Sequence, residues 1–290
     1  MFTATLLVDP TRANLTETSV ERLRTQWEGS EIRWLAPDVA VEFDLASMPA
    51  DRWARWDELQ SESTDLVVQK ASGRKKKLLL ADMDSTMIQQ ECIDELADFA
   101  GVGAKVSEIT TRAMNGELNF ASALTQRIAL LRGLPVGTIQ KVIDERISFM
   151  PGAQALLKTM RINGGYAALV SSGFTAFSGY VAEALGFNEH RANELLSENG
   201  RLTGVPADPI RGGEAKVCAF HDLSSRLGLT AEEVMAVGDG ANDLGMLALA
   251  GSGVALHAKP AVAAQCDIRI NHGDLTALLY IQGYTLSDFA

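Results

Sequence analysis

Two carboxylates sit two residues apart in DMDST, as Asp82 and Asp84, and they end a continuous apolar run that starts at Lys77. Such a run reads as a strand buried on both faces of a parallel sheet, and the carboxyl ends of such strands are where an α/β sheet gathers its reactive groups. Alone, a DxD pair is as readily a pair of surface carboxylates in a turn. A second acidic cluster shifts that balance: Gly238-Asp239-Gly240-Ala241-Asn242-Asp243 follows another apolar strand, VMAVG. Its glycines let the backbone turn sharply and approach a ligand. Paired carboxylates can divide nucleophilic and acid/base work, and a group of them suits a hard divalent cation.

Two further segments complete the set. Ser171-Ser172-Gly173 follows the apolar YAALV, and Lys216 stands in EAKVCAF. By themselves they read as an ordinary strand-to-helix turn and a surface helix lysine. The four segments together, in this order, resemble the haloacid-dehalogenase-like phosphatase superfamily over roughly residues 77–290. That resemblance implies Asp82 as a covalent nucleophile toward a phosphomonoester and Asp84 as the acid/base. It also implies Mg2+ on Asp82, on the backbone carbonyl of Asp84 and on Asp239. Lys216, Ser171, Ser172 and the backbone N–H groups near Gly173 would hold the phosphoryl oxygens, and Asp243 would position Lys216 or a metal-bound water. The chemistry explains the cations: a carboxylate approaching a phosphate dianion meets a repulsion of about 8 kcal/mol, scaled from the unit-charge value at 4 Å in an effective dielectric near 20.

Within that superfamily the helical insertion after the first motif resembles the phosphoserine phosphatase branch. The marks are Glu91 in DSTMIQQECIDELA and Arg127 in FASALTQRIALLRG. A free amino acid needs a carboxylate for its ammonium and an arginine fork for its carboxylate. By the same resemblance Met114 and Phe120 shape the apolar wall of the pocket, and Asn242 contacts substrate or phosphate. The implied reaction is hydrolysis of O-phosphoserine to serine and phosphate through an aspartyl-phosphate, the last step of serine biosynthesis. On periodicity alone Met114 and Phe120 read as core of the insertion and Arg127 as a helix-surface charge.

The elements that position these groups follow from patterning. Residues 2–8 read as a strand, 15–28 as an amphipathic helix, 31–36 and 39–45 as strands, 49–62 as a helix and 65–69 as a strand. The resulting βαββαβ order is similar to the ferredoxin-like fold and its ACT-type modules, which bind amino acids or pair between subunits, so a homodimer is one expectation. Residues 70–77 read as a linker whose basic run, Arg74 to Lys77, is a solvated end. A helix-rich stretch at about 89–149 reads as a cap inserted in the sheet, and later strands at 166–172, 234–239 and 252–256 alternate with helices. The expected architecture is therefore a doubly wound, Rossmann-like α/β parallel sheet over residues 74–290 with a helical cap, preceded by a small α+β ferredoxin-like domain over residues 1–73.

Composition bounds the rest. The chain has 290 residues, 47% of them hydrophobic, and a formal charge of −11, which disfavours a nucleic-acid partner. No apolar run reaches the roughly 18 residues of a membrane span. Three scattered cysteines, Cys92, Cys218 and Cys266, form neither a disulfide framework nor a CxxC pair, which fits a reducing, cytoplasmic setting. The four histidines lack metal-ligand spacing.

Overall fold

Phe2, Ala4 and Leu6 alternate with Thr3, Thr5 and Leu7 along β1 (Phe2–Leu7), so the two sets point to opposite faces of a sheet. The computed structural model describes residues 1–114 and 117–290, with Met114 described by its backbone only. After β1 come α1 (Glu17–Gln26), β2 (Arg33–Ala36), β3 (Ala40–Leu45), α2 (Arg52–Ser61) and β4 (Asp65–Lys70). The four strands make an antiparallel sheet in the order β2-β3-β1-β4, the ferredoxin-like arrangement. One face, with Ala4, Leu6, Val41, Phe43 and Leu66, packs on Val20, Leu23 and Leu59 of the two helices.

The other face is not free. Leu7, Ala40 and Val67 share a core with Leu275, Leu278 and Tyr284. Polar ties reinforce that contact. The buried Asp65 carboxylate accepts N–H groups from Asn271, His272 and Gly273 at 2.8–2.9 Å, and Gln69 donates to the Ile281 carbonyl at 2.6 Å. At Arg74 and Lys76 the structure corrects the reading of Arg74 to Lys77 as a solvated end, while Lys75 and Lys77 are exposed as expected. Arg74 donates to the buried Glu42 carboxylate at 2.8 Å, with 9% of its side chain exposed. Lys76 donates through its backbone to Gln282 and through Nζ to the Glu232 carbonyl, and Lys75 lies over the Tyr284 ring. The buried Glu42 carboxylate recruits Arg74 and the Glu232 carbonyl recruits Lys76, long-range pairings that the local run of charges does not disclose.

The second sheet starts at β5 (Leu78–Ala81). Leu79 and Ala81 face one apolar core, Leu78 and Leu80 the other, which explains the unbroken apolar run. The chain continues through α3 (Cys92–Phe99), α4 (Gly103–Met114), α5 (Phe120–Ala129) and α6 (Gly137–Arg146), the helices of the insertion. It returns to α7 (Ala153–Ile162), β6 (Tyr166–Phe174), α8 (Thr175–Leu185) and β7 (Glu189–Asn193). A hairpin of β8 (Leu195–Glu198) and β9 (Arg201–Pro206) precedes α9 (Gly213–Leu227), β10 (Val234–Gly238) and α10 (Leu244–Leu249). The chain closes with β11 (Ser252–Leu256), α11 (Pro260–Ala263), β12 (Ile268–Ile270) and α12 (Ala277–Tyr280).

All pairs in the six-stranded sheet are parallel, in the order β12-β11-β10-β5-β6-β7. Helices α7 and α8 cover one face, α9 and α10 the other. The order reverses direction between β5 and β10, and that switch point is where an open α/β sheet leaves a crevice. The insertion joins the sheet by a two-stranded stem at Ile88 and Phe149, and its α5–α6 turn is gripped by the hairpin. Gly133 donates to the Leu202 carbonyl at 2.8 Å and Leu202 to the Leu134 carbonyl at 2.9 Å. The strand β7, the hairpin and β12 were not legible in the sequence, because they are short and half polar.

Candidate active site

Ala81 lies beside Val237 in the sheet, and the Asp82 N–H donates to the Val237 carbonyl at 3.0 Å. Asp82 and Asp239 therefore leave adjacent parallel strands at the same end, on either side of the switch point. After Asp82 the chain coils at once: the Met83 carbonyl accepts the N–H groups of Met87 and Ile88 at 2.9 and 3.1 Å. This tight turn carries Asp84 toward the insertion, where its Oδ1 accepts the N–H of Cys92, first residue of α3, at 2.9 Å. A helix N-terminus thus supports the Asp84 carboxylate.

Lys216, 1% exposed, stands between two carboxylates. Its Nζ lies 2.6 Å from Asp82 Oδ1 and 2.6 Å from Asp243 Oδ1. The second Asp243 oxygen accepts the Gly240 N–H at 3.0 Å, so both of its oxygens are committed. A side chain at Gly238 would run into Asp243, its Cβ falling 2.4 Å from the carboxyl carbon, and this close approach is why glycine ends β10. A buried ammonium flanked by two carboxylates is stable only as a group, since removing one member leaves uncompensated charge.

The end of β6 supplies the facing wall. The Ser171 hydroxyl accepts the Gly173 N–H at 2.8 Å, and Asn242 Nδ2 donates to the Ser172 hydroxyl at 3.2 Å. A Cβ on Gly173 would lie 2.5 Å from Asp84 Oδ2, so β6 and the Asp84 turn meet only because Gly173 has no side chain. Asn193, missed in the sequence, braces this wall by donating to the Ser172 and Arg211 carbonyls at 2.8 and 3.0 Å. Nothing local marks it, because its partners lie on two distant loops.

Carboxylate oxygens of Asp82, Asp239 and Asp243 all fall within 4.8 Å of one another. This all-oxygen set fits a hard divalent cation rather than a thiolate- or imidazole-seeking metal. Burial, reinforced by the Asp243 and Glu91 charges, pushes Asp239 up to about 6. Burial, then the Glu91 charge, likewise pushes Asp84 up to about 6 against the pull of the Cys92 N–H. Burial and Asp243 also raise Asp82, and the Lys216 ammonium opposes them. For Lys216 the two carboxylates outweigh burial and hold the ammonium charged. A site that desolvates several carboxylates around one cation is short of positive charge, which a second cation would supply.

The insertion contributes opposite charges. Glu91 precedes α3 as its N-cap but makes no capping bond. Its Oε1 instead accepts the Ser85 hydroxyl at 2.8 Å. Arg127 on α5 is half-buried; burial lowers its pKa, while Asp94 and Glu91 oppose that shift. Its Nε is buried and has no hydrogen-bond partner among the described residues. Asp94, in the first turn of α3 and three residues after Glu91, was missed. Phe120 opens α5 against the turn before α9, its ring 3.0 Å from the Cβ position of Gly212. The Met114 side chain lies outside the described residues.

A family model for haloacid dehalogenase-like hydrolases matches residues 79–248. The chain belongs to that family. The matched hydrolase segment contains the carboxylate turn, the cap helices, Lys216 and Asp243, and leaves the N-terminal sheet outside. The chain is 45% identical over 211 residues, 72% of its length, to a fission yeast (Schizosaccharomyces pombe) protein described as a probable phosphoserine phosphatase. That match covers 70% of the yeast protein, and matches to three further curated phosphoserine phosphatases cover 64%, 62% and 52% of theirs. Among solved structures, a hydrolase of this family from Salmonella enterica superposes with a TM-score of 0.87 at 27% identity, covering 97% of this chain and 98% of that one. A structure described as a phospho-aspartyl intermediate analogue of phosphoserine phosphatase superposes with a TM-score of 0.66 at 39% identity, covering 71% of this chain and 98% of its own.

Proposed function

We propose that this hydrolase is a Mg2+-dependent phosphoserine phosphatase working through an aspartyl-phosphate on Asp82. The observation that carries the reading is a buried charge array, Asp82 with Lys216, together with an opposite-charge pair, Glu91 and Arg127, in the insertion that follows it. A phosphorylated zwitterion matches both ends, and the likeness to phosphoserine phosphatases supports the same substrate.

Substrate phosphate accepts from Lys216, the Ser171 hydroxyl and the N–H groups of the Ser172–Gly173 turn, with Asn242 bracing Ser172. Asp82 attacks phosphorus, forming a P–O bond to its carboxylate as the bond to the serine oxygen breaks. Asp84, whose carboxyl burial raises to about 6, gives a proton to that oxygen from its protonated form. A water then attacks the aspartyl-phosphate, Asp84 takes the water's proton, and phosphate leaves with Asp82 restored. Asp82, Asp239 and the Asp84 carbonyl would hold Mg2+, which would supply positive charge against the repulsion between carboxylate and phosphate. The cap, about residues 89–149, selects the amino-acid end through Glu91 and Arg127, with Met114 and Phe120 as its apolar wall. In this reading residues 74–290 are the catalytic unit and residues 1–73 an accessory module available for pairing into a homodimer. Free thiols at Cys92, Cys218 and Cys266 support a cytoplasmic setting.

Arg127→Ala removes a charged hydrogen-bonded contact to the substrate carboxylate, which is expected to cost about 1.5–3 kcal/mol, or roughly ten- to a hundredfold in kcat/KM for phosphoserine. Phosphoethanolamine, which has no carboxylate, is expected to be hydrolysed equally by parent and variant. Equal losses on both compounds would make Arg127 structural or phosphate-binding and remove the main support for phosphoserine.

A further inference from the structure

Ser85 is bound between the two reactive carboxylates and the cap, yet the mechanism above gives it no task. Its backbone sits at φ +55°, the left-handed region that serine seldom adopts. That conformation turns its hydroxyl onto Glu91 Oε1 at 2.8 Å, while its N–H meets the Gln90 carbonyl at 3.2 Å. Glu91, the N-cap of α3, leaves the helix end uncapped by its own side chain; the first N–H goes to Asp84 instead. One Glu91 oxygen is thereby fixed, and the other has no hydrogen-bond partner among the described residues.

We propose that Ser85 is a positioning residue that aims the free Glu91 oxygen at the substrate ammonium. The proposal rests on the reading of Glu91 as the ammonium partner. A hydroxyl donating to one carboxylate oxygen fixes the plane of the group, so the second oxygen meets the ammonium without a search over rotamers.

The test compares phosphoserine with 3-phosphooxypropanoate, the same molecule without its ammonium, on the parent and on Ser85→Ala, Ser85→Gly and Ser85→Asn. Glycine adopts φ +55° freely and separates backbone strain from loss of the hydroxyl, and asparagine tolerates that conformation while restoring a donor. The Ala and Gly variants are expected to raise KM for phosphoserine roughly three- to tenfold, the worth of one ordinary hydrogen bond lost at one remove from the substrate, with kcat held within about twofold. Their kinetics on 3-phosphooxypropanoate are expected to match the parent, and Ser85→Asn to recover most of the phosphoserine KM. The proposal is overturned if Ser85→Gly keeps the parent KM, or if both substrates lose equally. A parent that does not distinguish the two substrates overturns the reading of Glu91 itself and this proposal with it.

Discussion

Three carboxylates and one lysine share a space of a few ångströms, so each residue's effect depends on its neighbours' charge. Asp82→Asn is expected to fold and to release no phosphate, because an amide is a far weaker nucleophile; residual turnover above a few per cent would argue against a covalent role. Asp84→Asn should cripple phosphoserine hydrolysis but partly spare aryl phosphates, whose leaving groups need no proton, and equal losses would count against an acid role. Asp239 gives a pH-dependent expectation for the metal-free protein. It ionises near 3.8 when unfolded and near 6 when folded, so folding takes up a proton between those values. Its contribution to stability is therefore present below pH 3.8, declines up to about pH 6 and is lost above it. Metal-free Asp239→Asn should match the parent in thermal melts near pH 4 and exceed it at pH 7, while Mg2+ at pH 7 should raise the melting temperature of the parent alone. A parent that melts higher than the variant at pH 7 without metal would contradict this. The carboxylates and Lys216 were readable because strand ends and motif spacing advertise them. Ser85, Asp94 and Asn193 were not: they act through partners that only the folded chain brings near.

At the level of elements, the cap is held twice, by its stem at Ile88 and Phe149 and by the hairpin on its α5–α6 turn. Gly204 in β9 has φ +74°, and a Cβ there would lie 2.8 Å from the Arg132 Cβ and 3.3 Å from the Ala129 carbonyl. Gly204→Val therefore meets both backbone strain and a clash with the cap, and should cost on the order of 2 kcal/mol. Limited proteolysis is expected to cut the variant's hairpin faster than the parent's while β5 and β10 stay protected; unchanged cleavage would show that the hairpin does not depend on this contact. The helical character of the cap was legible as a helix-rich stretch, though not its division into four helices, and the buried strands were legible from continuous apolar runs. The hairpin was not, since Gly204 and Pro206 within six residues read as turn chemistry rather than as a strand.

For the whole molecule, the sequence placed a ferredoxin-like module ahead of a doubly wound sheet, and the structure has both. What the pattern could not disclose is how firmly they join, because Asp65 and its three donors lie 206 to 208 residues apart. Asp65→Ala leaves three N–H groups without their acceptor and should cost about 3 kcal/mol or more, measured by denaturant unfolding, while Asp65→Asn, which keeps one acceptor oxygen, should cost less. A loss below 1 kcal/mol for the alanine variant would show that water replaces the carboxylate. The same junction has a consequence for the order in which a ribosome makes the chain. The N-terminal sheet emerges early, but Leu7, Ala40 and Val67 find their cover only when Leu275, Leu278 and Tyr284 follow. If that sheet forms as it emerges, its second apolar face waits for cover through most of synthesis, a state that favours aggregation.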